Sequence, residues 1–146
     1  METKTKNTTA VVTTVISATV EKVWEAWTTP GLILKWFGSD LNGTGKQAQL
    51  DVRPGGYFEI TFQDSDGSEH TSYGNYSLVE KHKTLSFSWT WKTEPGNESF
   101  VRVEFLETND GATLRLVHSN LWSGSEHDCQ MGWQGAFFKL KRLLEA

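Results

Sequence analysis

The sequence predicts an α+β domain in which an antiparallel sheet is covered on one face by a long C-terminal helix. Three observations carry this reading. About six short segments alternate apolar and polar residues and are joined by tight-turn residues, the pattern of consecutive hairpin-connected strands. Residues 125–146 place Trp133, Phe137, Leu140 and Leu144 at i, i+4, i+7 and i+11, one face of a helix. Two short helical patterns sit between the first strand and the rest. Each strand has one apolar face, so one side of the sheet must be covered, and the final helix is placed to cover it.

Taken in order, residues 1–9 are polar and read as a flexible lead to a single domain over 10–146. Residues 10–16 (AVVTTVI) are rich in β-branched side chains and form the first strand. Thr19 can cap a helix over 20–27, where Val20, Val23, Trp24 and Trp27 make one apolar stripe. Thr29-Pro30 starts a second, short helix with Thr as cap; its apolar side is Leu32, Ile33 and Trp36, and Phe37-Gly38 ends it. Residues 39–46 read as loop. Alternation then sets the inward rows: Ala48, Leu50 and Val52; Phe58, Ile60 and Phe62; Leu85, Phe87, Trp89 and Trp91; Val101, Val103 and Phe105; Leu114, Leu116 and His118. A further strand covers 71–79, with Gly74 as a candidate bulge. The turns fall at Arg53-Pro54-Gly55-Gly56, Asp66-Gly67, Lys81-His82-Lys83, Glu94-Pro95-Gly96-Asn97 and Asn109-Asp110-Gly111. A loop leads from His118 to the final helix. Gly124 and Ser125 are its start, Glu126 and Asp128 suit its N-terminal dipole, and Lys139, Lys141 and Arg142 lie off the apolar face toward its C-terminal end.

At 146 residues, 37% hydrophobic and 22% charged, the chain can bury a sizeable core as one soluble domain. A net charge of −4 offers no electrostatic footprint for nucleic acid, and no apolar run suits membrane insertion. The lead lacks the apolar segment of a secretory signal. One cysteine, Cys129, makes no internal disulfide, which suits the cytoplasm. No cofactor or metal is expected. Gly55-Gly56 lacks the Lys-Ser/Thr of a phosphate loop, His127 and Cys129 are two apart on a helix, and His70 and His82 fall at polar edge or turn positions.

Several strings in order resemble the START-like, or SRPBCC, helix-grip superfamily, and within it the branch named for the activator of heat-shock-protein-90 ATPase. They are Ser17-Ala18-Thr19 before Val23-Trp24, Thr28-Thr29-Pro30 before Trp36-Phe37-Gly38, Arg53-Pro54-Gly55-Gly56, residues 85–91, residues 114–119, and Gly132-Trp133 before Leu140 and Leu144. The resemblance covers roughly residues 10–146. It implies a curved antiparallel sheet wrapped around the C-terminal helix with a hydrophobic cavity between them, and the branch name implies a chaperone partner and a role in stress response.

The aromatic residues, 12% of the chain with seven Trp, are the leading functional signal. Phe58, Ile60, Phe62, Trp89, Trp91, Val103, Phe105, Leu116 and His118 on the strands should face Trp133 and Phe137 on the helix. Either these rings fill the space as ordinary core, or their bulk leaves a pocket of roughly 300 Å³ or more for a small hydrophobic molecule. Trp36 and Phe37 either pack under the sheet or guard the opening; the resemblance places them near the cavity mouth. His118 ends an apolar row at the rim. It is either a half-buried histidine bonded to backbone or a group that orients a ligand or moves a proton. Ser119 follows it directly and points to the opposite face, so the two make no nucleophile–base pair. Glu104 and Arg115 read as an outward cross-strand pair. Three function classes stay open: a ligand-binding domain without catalysis, a protein-interaction module of the co-chaperone type, and a small cyclase- or hydratase-like enzyme using His118.

Overall fold

The computed structural model describes residues 5–145. Its elements run β1 (Lys6–Ile16), α1 (Val20–Thr28), α2 (Pro30–Ile33), β2 (Thr44–Leu50), β3 (Tyr57–Gln63), β4 (Glu69–Glu80), β5 (Thr84–Trp91), β6 (Ser99–Thr108), β7 (Gly111–Trp122) and α3 (Glu126–Leu144). The seven strands form one curved antiparallel sheet in the order β1-β7-β6-β5-β4-β3-β2. This is the predicted α+β, helix-grip arrangement. From β2 onward the strands are hairpin neighbours. The exception is β1, which returns to the far edge and pairs with β7, so α1 and α2 must carry the chain across the sheet from one edge to the other.

Local chemistry explains the helices. The Thr19 hydroxyl accepts the Lys22 backbone N–H at 3.2 Å and caps α1. Val20, Val23, Trp24, Ala26 and Trp27 are buried on its inner face. Thr29 holds the cap position of α2, but through its carbonyl, which accepts the Leu32 and Ile33 N–H groups; its side chain makes no cap bond. In α3, Trp133, Phe137 and Leu140 are buried as the periodicity predicts, and Leu144 is half-buried against the core. Ser125 stands at the cap of α3, yet its hydroxyl turns back to the Trp122 carbonyl at 2.6 Å.

Several boundaries differ from the sequence reading. β1 starts at Lys6, inside the expected lead, because β7 extends to Trp122 and supplies partners: Lys6 faces Trp122 and Thr8 faces Leu121. Residues 1–4 of that lead lie outside the described residues. The expected loop after His118 is therefore largely strand, with Asn120 at φ 61 taking up an irregularity. β2 begins at Thr44 rather than after residue 46, and Val52 falls beyond its end. Gly74 is not the bulge; the register shift in β4 lies between Tyr76 and Leu78. Gly74 instead sits where a Cβ would stand 2.0 Å from the Ser88 carbonyl oxygen, so close strand approach requires glycine there. Glu104 and Arg115 pair across β6 and β7 at 3.3 Å as expected.

Lys139 is the largest departure. Read as lying off the apolar face, it is 8% exposed, and its ammonium donates to the Asp40 carbonyl at 2.8 Å. The segment after α2 folds over this part of α3. A Cβ on Gly135 would lie 2.4 Å from the Ser39 carbonyl oxygen, so this small helical residue admits the segment. Burial lowers the Lys139 pKa, and the Asp40 carboxylate partly opposes that.

Candidate functional site

The concave face of the sheet has a filled half and an open half. In the filled half, Trp27 lies 4.8 Å from Trp36, 6.2 Å from Phe105 and 6.2 Å from Phe137, mostly edge to face. Such contacts add about 0.5–1.5 kcal/mol each beyond area burial. Trp36 is fully buried, and its indole N–H donates to the Ala26 carbonyl at 3.0 Å. The open half holds a cavity of about 1000 Å³ between β5–β7 and the first half of α3.

The expected site residues divide between these halves. Phe37, Phe62, Trp89, Trp91, His118 and Trp133 line the cavity. Trp36, Phe58, Ile60, Val103, Phe105, Leu116 and Phe137 do not; they are buried in the packed core. The correction has one physical cause. α1, α2 and the turn after α2 bring Trp24, Trp27, Ile33 and Trp36 into the core, and these fill the space that the strand rows leave facing α3. Phe37 is not at the mouth. It stacks on Trp89 at 5.6 Å and contacts Trp133 at 5.9 Å, forming the wall where core meets cavity. Polar residues beyond the expected set also line the cavity, among them the exposed Glu94 and Asp128 and the half-buried Asn97 and Asn120.

His118 is not half-buried at the rim. It is 4% exposed within the cavity wall, and its bonds go to side chains rather than backbone. The Trp133 indole N–H donates to Nδ1 at 3.0 Å. Nε2 lies 2.7 Å from the Ser99 hydroxyl, which in turn lies 3.3 Å from the Trp89 carbonyl. The Cys129 thiol is 3.3 Å from Nδ1. Burial pulls the His118 pKa down to about 4 and pushes the Cys129 thiol up to about 11. Both groups are therefore neutral near pH 7. Sequence reasoning missed Ser99 and Cys129. Ser99 was findable, because it stands two residues before Val101 in the same inward row, a polar residue ending an apolar series as His118 does.

Among the described residues, no group of three His, Cys, Asp or Glu side chains could hold a metal ion, and no helix is long and apolar enough to cross a membrane. The residues lining the cavity can bury an apolar body and present one neutral polar relay.

Solved structures share this architecture. A protein from Chromobacterium violaceum superposes with a TM-score of 0.85 at 22% identity, over 96% of this chain and 99% of that one. An AHSA1-like protein from Aeromonas hydrophila gives 0.80 at 24% identity, over 94% and 92%. A protein from Mesorhizobium loti gives 0.75 at 28% identity, over 94% and 97%. No curated protein matches the chain. The family model described as Activator of Hsp90 ATPase homolog 1-like protein matches residues 17–145, nearly the whole helix-grip domain, and the chain belongs to that family.

Proposed function

We propose that the chain binds a small, largely apolar organic molecule in the cavity between β5–β7 and α3. The observation that carries this reading is the cavity itself: about 1000 Å³, at the upper end of the usual range for small-molecule sites, with Phe37, Phe62, Trp89, Trp91 and Trp133 in its walls. The half-buried Trp91 and the edges that the other rings turn to the cavity are apolar surface that a ligand of matching shape would bury. Catalysis by His118 fits less well. Both ring nitrogens are already engaged, and with a pKa of about 4 the ring is a weak base at pH 7.

The test is titration with the neutral fluorophore N-phenyl-1-naphthylamine. Binding should enhance its emission and quench tryptophan fluorescence. Trp91→Ala should weaken it several-fold, whereas Lys83→Ala, on an exposed turn, should leave it unchanged. No binding by the native protein would refute the proposal.

A second reading is an interaction module acting on a chaperone. It is favoured by Val11, Val15, Phe100 and Leu106, which are exposed on the outer faces of β1 and β6. Its test is whether adding the protein alters the ATPase rate of a heat-shock-protein-90 chaperone; an unchanged rate at saturating protein would exclude it.

A further inference from the structure

The direction of the hydrogen bonds around His118 bears on the ligand's chemistry. An indole N–H can only donate. Trp133 aims that donor at His118 Nδ1, so Nδ1 must be the bare nitrogen and the neutral ring must carry its proton on Nε2. The Cys129 thiol lies 3.3 Å from the same nitrogen. Nε2–H therefore donates to the Ser99 hydroxyl oxygen at 2.7 Å. The Ser99 proton is left to find an acceptor, and its partner in the protein is the Trp89 carbonyl at 3.3 Å. Hydroxyl donors usually sit about 2.7–2.8 Å from their acceptors, so this bond is long and easily exchanged. Ser99 lines the cavity, together with His118, Trp89 and Trp133. The relay thus ends in a loosely held donor on a residue that lines the cavity.

Charge narrows the choice further. Among the described residues, the charged side chains lining the cavity are Glu94 and Asp128, both acidic, and no Lys or Arg lines it. Lys6 lies over the Trp122 ring, 5.5 Å from its centroid, with its ammonium on the Glu98 carbonyl, outside the lining set. A carboxylate or phosphate brought to Ser99 would lose its water with no cation among the described lining residues to replace it.

We propose that the ligand carries a neutral hydrogen-bond acceptor of carbonyl or ether type at its buried end, where it takes the Ser99 proton, and that the cavity discriminates against anionic head groups. This rests on the ligand-binding reading above.

The experiment is displacement of N-phenyl-1-naphthylamine by three compounds of closely similar shape: 2-acetylnaphthalene, 2-isopropenylnaphthalene and 2-naphthoate. The readout is the ratio of ketone to hydrocarbon affinity, so any general change in the pocket cancels. Ser99→Ala should lower that ratio about 3- to 10-fold, the range of one net hydrogen bond. Naphthoate should bind the native protein at least about 10-fold more weakly than the ketone. An unchanged ratio, or naphthoate binding as tightly as the ketone, overturns this proposal while reporter binding leaves the cavity reading standing. Failure of the reporter itself to bind removes both. Should Ser99→Ala not fold, the native protein still decides: nitrogen-15 shifts of His118 should give the Nε2–H tautomer, and the Nδ1–H tautomer would overturn the direction of the relay.

Discussion

Acid should destabilise this protein through His118 in a defined window. The ring is 4% exposed, and protonation would add a proton to Nδ1, where the Trp133 N–H already points. None of the ion pairs among the described residues involves it. The ordinary histidine pKa is 6.5, and burial lowers it to about 4 in the folded state. Above pH 6.5 the ring is neutral both folded and unfolded and contributes no pH dependence. As pH falls from 6.5 to about 4, the unfolded chain takes up a proton that the folded chain refuses, so stability declines; below about 4 both forms are charged and the loss levels off. At about 1.4 kcal/mol per pH unit, the full loss is about 3 kcal/mol, a large share of the roughly 5–15 kcal/mol by which domains are stable. The assay is urea unfolding followed by tryptophan emission from pH 7.5 to 4, on the native protein and His118→Gln. Glutamine can accept from Trp133 and donate to Ser99 without titrating. His70, His82 and His127 are present in both proteins and cancel in the difference. Asp40, whose carboxylate is held down to about 2 by bonds from Ser65 and Asn42, titrates below this window and also cancels. The native protein should lose about 3 kcal/mol more than the variant across the range. Parallel pH curves, or native stability that rises as pH falls from 6.5 to 5, would refute the account of a buried neutral histidine.

Three other expectations are open to simple tests. Leu140→Ala, at a fully buried position on α3, should cost about 2–5 kcal/mol in urea unfolding, and wild-type stability would show the helix phase to be wrong. Gly135→Ala would gain about 1 kcal/mol if helix propensity alone decided. The contact with the Ser39 carbonyl predicts a net loss instead, so a more stable variant would contradict the packing of this segment on α3. Cys129 should be poorly reactive, because a thiol pushed up to about 11 has little thiolate at pH 8. Iodoacetamide should modify the native protein more slowly than the urea-unfolded one, equal rates counting against a raised thiol pKa in this half-buried residue, and Cys129→Ser should fold under reducing conditions.

Local pattern was enough for much of this molecule. A strand's side chains alternate whatever surrounds it, so the inward rows of β3, β5, β6 and β7 were legible, as were the buried face of α3 and the turns between strands. A cavity between sheet and helix was one of the two readings that the recurring large rings left open, and rings of both facing surfaces line the one observed. Periodicity says which way a side chain points and nothing about what comes to meet it. That α1 and α2 would cross the sheet and fill one half of it was decided by the return of β1 to the far edge, which no local pattern records. The same long-range step put Trp36 and Phe105 in the core and left Trp89 and Trp91 facing the cavity. Lys139 reads as a solvent-facing helix residue until residues 38–40 pack over Gly135 and offer its ammonium the Asp40 carbonyl. The relay through Trp133, His118, Ser99 and Trp89 joins four residues on α3, β7, β6 and β5. Hydrogen-bond direction depends on distances of about 3 Å between elements far apart in the chain, so only the folded structure determines it.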